Sequence, residues 1–259
     1  MQSPDTLRIW MRCLVLILGP WLLADAGYAM DTSVRDGATI QLGDIAFRLD
    51  GIDAPEVDQI CIDDHADPWT CGIEARERLT RLIAGHTVHC DDLGPDKSAK
   101  KRHLGLCKVD GDGLSLNQQL VRSGFATSVD GSTKARFADD AAIARDAKTG
   151  LWKGCFIAPK EFRIGKKDGV LLGAACRSDR DKEIREALFP ADFAAPPGCS
   201  IKGKFAVRAR VTFNLGIYHL RDCPSYPAIT EPERWFCSED DAQAAGFRKA
   251  FNCRSPRGK

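Results

Sequence analysis

The chain has 259 residues, more than the usual domain of about 100–150 residues, which favours two compact units or one large one. Hydrophobic residues make up 44% and charged residues 28%, a balance that excludes wholesale disorder and a multi-span membrane protein. The formal net charge is only +1, so any attraction to nucleic acid must come from a local basic site.

The N-terminus predicts an export signal. Two arginines precede an apolar run over residues 13–23, and small residues follow it up to Ala29. We expect a signal peptide over residues 1–29 and therefore a periplasmic or secreted protein. The alternative is an uncleaved anchor in the inner membrane, but Pro20 and Asp25 interrupt the roughly 20 apolar residues that a membrane span needs.

Cysteine usage points to the same kind of compartment. Removal of the signal would delete Cys13 and leave ten of the eleven cysteines, an even number. Thiol pairs persist as disulfides where the surroundings are oxidising. We therefore expect structural disulfides, including one between Cys90 and Cys107, because both residues lie on predicted strands joined by a basic loop.

The hydrophobic pattern predicts strands and helices in alternation. Apolar residues recur at every second position on both sides of Gly43 and Asp44, which predicts a hairpin of strands over residues 38–42 and 45–49. Helical spacing and glycine stops predict the helices that follow. The further predicted elements are a helix at 72–84, strands at 88–90 and 104–109, and helices at 114–123 and 134–148.

The C-terminal part of the chain is predicted to form a separate module. Residues 194–198 combine two prolines with a glycine and predict a linker. Residues 163–193 combine a basic loop with a predicted helix at 179–188. We expect a domain at 34–155, a connecting segment at 156–197 and a small cysteine-containing module at 198–259.

Three segments carry the groups that phosphodiester hydrolysis needs. An attacking water must lose a proton and the phosphoryl group must be stabilised, which calls for a carboxylate base, cations and usually a metal. Glu56 is the candidate base. Arg48 and Arg102 are the candidate clamps, because a guanidinium donates two parallel hydrogen bonds to phosphate oxygens.

The spacing of these residues resembles a known family. Residues 47–56, Phe-Arg-Leu-Asp-Gly-Ile-Asp-Ala-Pro-Glu, resemble the signature strand and turn of the thermonuclease (staphylococcal-nuclease-like) family. Further similar segments are 34–40, 102–107, 116–126 and 150–152. The resemblance spans residues 34–152 and implies an α+β, mainly β fold: an OB-type five-stranded β-barrel with flanking helices.

The resemblance also implies an activity and residue roles. It implies a calcium-dependent nuclease acting on DNA, RNA or both, for which we expect a single-stranded substrate, a monomer and no stable protein partner. Glu56 would be the general base, with Arg48 and Arg102 on the phosphate. Asp53 would be a metal ligand, and the backbone carbonyl of Ala54 another.

Two departures from the family pattern bear on metal and substrate. The family has an aspartate ligand where this chain has Ala38, and calcium prefers six to eight oxygen ligands. Asp36 is a candidate to contribute in its place through water. The loop before Arg102 carries three lysines that are candidates for nucleic-acid contact, Lys97, Lys100 and Lys101.

Two cysteine-containing segments leave alternatives open. The acidic loop between Cys61 and Cys71 is expected to be a solvated, disulfide-closed loop, with a metal site as the alternative. The C-terminal module has four cysteines, for which two disulfides are expected and structural zinc is the alternative. Its segments resemble a small module often appended to bacterial thermonuclease-like domains.

Two other function classes compete with the nuclease. An OB-type module can keep the phosphate-gripping arginines and bind nucleic acid without efficient catalysis. Ala38 favours that interpretation, while Glu56 favours the enzyme, because a binding protein needs no base. A cell-envelope interaction protein that uses the C-terminal module is a third class.

Overall fold

The structure is a computed structural model that describes residues 32–99, 101–129, 136–190, 193–206 and 214–253. The predicted signal peptide and Lys100 lie outside the described residues. Within these ranges, no helix combines the length and the hydropathy that crossing a membrane requires.

The described part of the chain contains strands and helices with the following bounds. The strands are β1 (Thr32–Asp36), β2 (Thr39–Leu42), β3 (Ile45–Leu49), β4 (Ile52–Asp53), β5 (Cys61–Ile62), β6 (Pro68–Trp69), β7 (Val88–Pro95), β8 (Arg102–Val109), β9 (Thr127–Ser128), β10 (Phe156–Ile157), β11 (Leu171–Leu172), β12 (Ile201–Phe205), β13 (Gly216–His219), β14 (Arg234–Phe236) and β15 (Phe247–Lys249). The helices are α1 (Cys71–Ile83), α2 (Leu116–Arg122), α3 (Ala138–Asp146), α4 (Pro159–Arg163), α5 (Asp181–Leu188) and α6 (Glu239–Ala244).

Five strands form one mixed sheet in the order β1-β2-β3-β8-β7. Neighbours are antiparallel except β3 and β8, which run parallel with Ala46 opposite Arg102. Helices α1 and α2 contact this sheet, and their buried leucines join its apolar face in one core. The five-stranded sheet with flanking helices confirms the predicted OB-type architecture, and we call it the OB-type domain.

The strands on either side of the basic loop are longer than predicted. The sequence predicts strands at 88–90 and 104–109 on either side of this loop. In the structure a register shift between Asp92 and Pro95 interrupts the ladder, and Gly94 accommodates it with a φ of 102°. Pairing therefore resumes beyond the irregularity, and β8 begins at Arg102.

The C-terminal module forms a second sheet in the order β14-β12-β13-β15. Helix α6 connects β14 to β15, and the hydroxyl of Ser238 caps it by accepting a hydrogen bond from the backbone N–H of Asp241 at 3.1 Å. Tyr218, Phe236 and Phe247 fill a small separate core. The module therefore has its own apolar centre, and ion pairs of Arg234 with Asp58 and of Asp240 with Arg35 link it to the OB-type domain.

All ten cysteines in the described residues form disulfides. The pairs are Cys61–Cys71, Cys90–Cys107, Cys155–Cys176, Cys199–Cys237 and Cys223–Cys253. The predicted disulfides are therefore confirmed, and the C-terminal cysteines are bonded to each other rather than free to hold zinc.

Candidate active site

The turn between β3 and β4 gathers three of the residues that the sequence singled out. Gly51 makes this turn with a φ of 76°, a conformation that glycine adopts at least cost. Arg48 donates from Nη2 to Oδ1 of Asp53 at 2.8 Å. Asp53 is only 4% exposed, and Glu56 follows shortly after β4. One strand–turn–strand segment thus supplies Arg48, Asp53 and Glu56 to one cluster.

A further arginine, Arg163 at the end of α4, joins the two carboxylates. Its Nε donates to Oε1 of Glu56 at 2.6 Å, and its Nη2 donates to Oδ1 of Asp53 at 2.6 Å. Sequence reasoning missed this residue, because it lies 107 positions from Glu56 and no local pattern marks it. The segment after the OB-type domain therefore contributes a cation to the site.

The C-terminal module contributes another arginine, Arg234 at the start of β14. Its Nη2 lies 3.2 Å from Oε2 of Glu56, so both oxygens of that carboxylate face a guanidinium. Its Nε and Nη2 also donate to Asp58 at 2.8 and 3.0 Å. The side chain of Arg234 is 2% exposed and lies against the ring of Phe162, 4.9 Å from its centroid. Sequence reasoning missed Arg234 and Asp58 as well.

These contacts determine the protonation of Glu56. Burial by itself would raise its pKa, but the positive charges of Arg163, Arg234 and Arg48, together with the hydrogen bond from Arg163, lower the pKa to about 2. The same carboxylates outweigh the effect of burial on Arg163 and raise its pKa above the ordinary arginine value. Glu56 is therefore a fixed anion at neutral pH and a weak proton acceptor.

Arg102, the second predicted clamp, lies at the basic loop and is bonded within it. It is only 7% exposed, its Nε donates to Oδ2 of Asp96 at 2.7 Å, and its Nη2 donates to the hydroxyl of Ser98 at 3.0 Å. Among the described residues no hydrogen bond or ion pair joins Arg102 to Glu56. In this arrangement its guanidinium stabilises the turn that carries the lysines.

A cleft of about 270 Å³ lies between the basic loop and α6. Its lining residues are Arg35, Ala99, Lys101, Arg102, Asp240 and Gln243. Lys97 and Lys101 are exposed on the loop, and in the described part of the chain neither makes an ion pair. Lys100 lies outside the described residues. Of the cations that line the cleft, Arg35 pairs with Asp240 at 3.6 Å and Arg102 with Asp96 at 2.7 Å, so Lys101 is the one without an ion pair among the described residues.

The residues present do not fit the calcium ion that the resemblance implies. Ala38 offers only a methyl group, which is 2% exposed in the core, and Ala54 belongs to the same buried cluster. Asp36 uses Oδ1 to accept a hydrogen bond from the backbone N–H of Ala38 at 2.7 Å. The carboxylates of Asp53 and Glu56 already have guanidinium partners. Calcium needs six to eight oxygen ligands, which this arrangement does not supply.

The acidic loop inside the Cys61–Cys71 disulfide places Asp63, Asp64 and His65 close enough to share one ion. The carboxylate of Asp63 instead accepts hydrogen bonds from the backbone N–H groups of His65 and Asp67, at 2.8 and 3.0 Å. These bonds close the loop on itself and, led by the bond from Asp67, lower the pKa of Asp63. Among the described residues, no hydrogen bond or ion pair joins Asp63, Asp64 or His65 to the cluster around Glu56.

Comparison with known proteins gives three matches. The sequence profile of the family described as "Staphylococcal nuclease homologue" matches residues 46–154, and the profile described as "ArfC" matches residues 186–249. The succinoglycan biosynthesis protein ExoI of Rhizobium meliloti (strain 1021) is 31% identical over 161 residues, which cover 59% of this chain and 83% of that protein. The first match includes Arg48, Asp53 and Glu56, whereas Arg163 lies beyond it and Arg234 lies within the second.

Proposed function

The chain belongs to the staphylococcal nuclease homologue family, and we propose that its OB-type domain binds the phosphodiester backbone of single-stranded DNA or RNA and hydrolyses it only slowly. A nuclease-like or nucleic-acid-binding role follows from the family domain itself. One observation carries the choice of slow hydrolysis: Arg163 and Arg234 hold both carboxylate oxygens of Glu56.

The ion pairs of Glu56 work against catalysis because a general base must accept a proton. A base is most effective when its pKa lies near the working pH, whereas the pKa of Glu56 is about 2. A proton on Glu56 would also remove the negative charge that pairs with Arg163 and Arg234. Because a positioned base typically contributes about 10²–10⁴-fold in rate, we expect turnover to be reduced by a factor of that order.

The basic loop supports nucleic-acid binding independently of Glu56. Lys97 and Lys101 are exposed, and Lys101 lines the cleft, in which Arg35 pairs with Asp240 at 3.6 Å. Each phosphate that they neutralise releases condensed counterions, so binding should weaken as salt rises, with a slope of about −0.7 per contact on single strands. The strand path that we propose therefore crosses the rim of this cleft.

A paired binding and cleavage assay tests the proposal. Fluorescence anisotropy of a labelled single-stranded oligonucleotide should show salt-sensitive binding that Lys97→Ala with Lys101→Ala weakens and makes less salt-dependent. Lys182→Ala is the control, because Lys182 is 90% exposed on α5 and does not line the cleft. Equal binding by the loop variant and the control would contradict the proposed surface, and absence of binding by wild type would contradict the function.

Calcium-dependent hydrolysis is the second candidate, because Arg48, Asp53 and Glu56 lie together in the segment that the family uses for catalysis. Cleavage of the same oligonucleotide with calcium, magnesium, manganese or chelator separates the two functions. Fast turnover that requires calcium would establish the nuclease and reject slow hydrolysis.

We propose that the protein works as a monomer in the periplasm or outside the cell. The five disulfides support this compartment, since such bonds persist where thiols are not kept reduced. Mass measurement of protein recovered from the native host would reveal whether residues 1–29 have been removed.

A further inference from the structure

The guanidinium of Arg163 lies between two carboxylates that the family resemblance associates with metal-dependent catalysis. It donates to Asp53 and to Glu56 at 2.6 Å each, and its side chain is only 21% exposed. Charge-assisted bonds of this length are among the stronger polar contacts in proteins. A dissociated, solvent-facing arginine would not show this geometry.

The charges within the ion-pair network around Glu56 balance, while Asp36 and Asp241 lie beside the network without an ion pair to it in the described part of the chain. Three arginines face three carboxylates through ion pairs of 2.6–3.2 Å. They are Arg48, Arg163 and Arg234 on one side and Asp53, Glu56 and Asp58 on the other. A divalent cation placed in this network would have to displace Arg163 from the oxygens of Asp53 and Glu56 that calcium itself needs.

The replacement of the family aspartate by Ala38 is consistent with the same balance. Ala38 is 2% exposed in the core, close to the position where a third carboxylate would favour a divalent ion. A chain that loses this carboxylate retains two anions beside Arg48, and one more guanidinium completes their pairing. The missing aspartate and the presence of Arg163 thus both favour a guanidinium over a divalent cation at this site.

We propose that Arg163 replaces the divalent cation, so that this site neither binds nor needs calcium. The guanidinium supplies the positive charge that holds Asp53 and Glu56 together, and it does so permanently because arginine stays protonated at any working pH. The proposal deepens the proposed function, since it concerns the same site, but it makes a separate claim about metal.

Calcium titration of wild type tests the proposal without any variant. Isothermal titration calorimetry with calcium chloride should show no binding at this site. The midpoint of thermal unfolding should also stay unchanged when the calcium concentration is varied in 10-fold steps. Binding of calcium to wild type, abolished by Asp53→Asn, would overturn the proposal. Calcium held by the acidic loop would survive that substitution and be lost in Asp63→Asn, which leaves the claim about Arg163 intact and supported.

A gain of calcium binding provides the positive test. The variant with Ala38→Asp and Arg163→Gln restores a carboxylate and removes the competing charge, so calcium should raise its unfolding midpoint by about 5–10 °C at a hundredfold excess over the dissociation constant. Ala38→Asp with Arg163→Lys is the matched control, because it restores the carboxylate but keeps a cation. A folded first variant that ignores calcium, or a control that responds equally, would overturn the proposal.

Oligonucleotide binding in chelator separates this proposal from the proposed function. Wild type should bind the labelled strand equally well with EDTA and with calcium. Loss of binding in EDTA would reject the replacement of the metal while leaving nucleic-acid binding established. Absence of binding in both conditions, together with no uptake of calcium, would reject the proposed function and leave the role of Arg163 supported.

Discussion

Replacement of Arg234 by alanine is expected to loosen the C-terminal module from the OB-type domain. Arg234 is 2% exposed and donates two hydrogen bonds to Asp58, which is itself only 4% exposed. Alanine would leave the carboxylate of Asp58 buried without its charged partner. Removal of one member of a buried ion pair costs about 3–5 kcal/mol, because the remaining charge is uncompensated.

An exposed ion pair in the same chain provides a control for this loss of stability. Arg180 and Glu183 lie 2.7 Å apart with side chains that are 49% and 65% exposed. Pairs of this kind contribute about 0.2–1 kcal/mol, so Arg180→Ala should change the free energy of unfolding several times less than Arg234→Ala. Urea unfolding followed by tryptophan fluorescence and circular dichroism measures both variants.

Hydrogen exchange shows where the stability is lost. In Arg234→Ala, protection should fall first in β14 and around Asp58, since the backbone N–H of Trp235 also donates to that carboxylate at 2.8 Å. Adding Asp58→Asn to Arg234→Ala should recover part of the loss by removing the unpaired charge. A loss no larger than that of Arg180→Ala, or no recovery in the double variant, would refute the argument from buried charge.

Three further predictions concern pH, disulfides and the candidate base. Burial and the neighbouring charge of Asp36 raise the pKa of Asp241 from 3.8 to about 6. The contribution of this group to the free energy of unfolding should therefore be greatest below about pH 4 and fall by about 2–3 kcal/mol as the pH rises through 6. In Asp241→Asn, the midpoint of thermal unfolding should depend less on pH across that window. Replacing Cys90 and Cys107 by serine should cost about 3 kcal/mol in urea unfolding, because the bond closes a loop of 17 residues, and an unchanged midpoint would contradict this. Glu56→Gln should remove residual cleavage and leave oligonucleotide binding at the basic loop unchanged, because Lys97 and Lys101 make no ion pair with Glu56; equal cleavage by wild type and variant would reject Glu56 as the base.

The periodicity of the sequence predicted most of the elements of the OB-type domain. Alternation over 38–49 and helical spacing over 72–84 correspond to β2, β3 and α1, and the family match confirms the resemblance inferred from residues 47–56. The extension of β7 to Pro95 was missed, because a strand irregularity at Gly94 has the same local composition as a turn. Local patterns therefore identified the elements better than their ends.

The sequence by itself also predicted that Arg48, Asp53 and Glu56 share one site, because all three lie in a single short strand–turn–strand segment. Only the tertiary structure decided what that site contains. Arg163 and Arg234 lie 107 and 178 positions from Glu56, yet they contact its two oxygens. Electrostatic interaction depends on separation in space and on burial, and neither is encoded in a local pattern. A carboxylate that the sequence presents as a free base is therefore, in the folded chain, the centre of a partly buried ion-pair network.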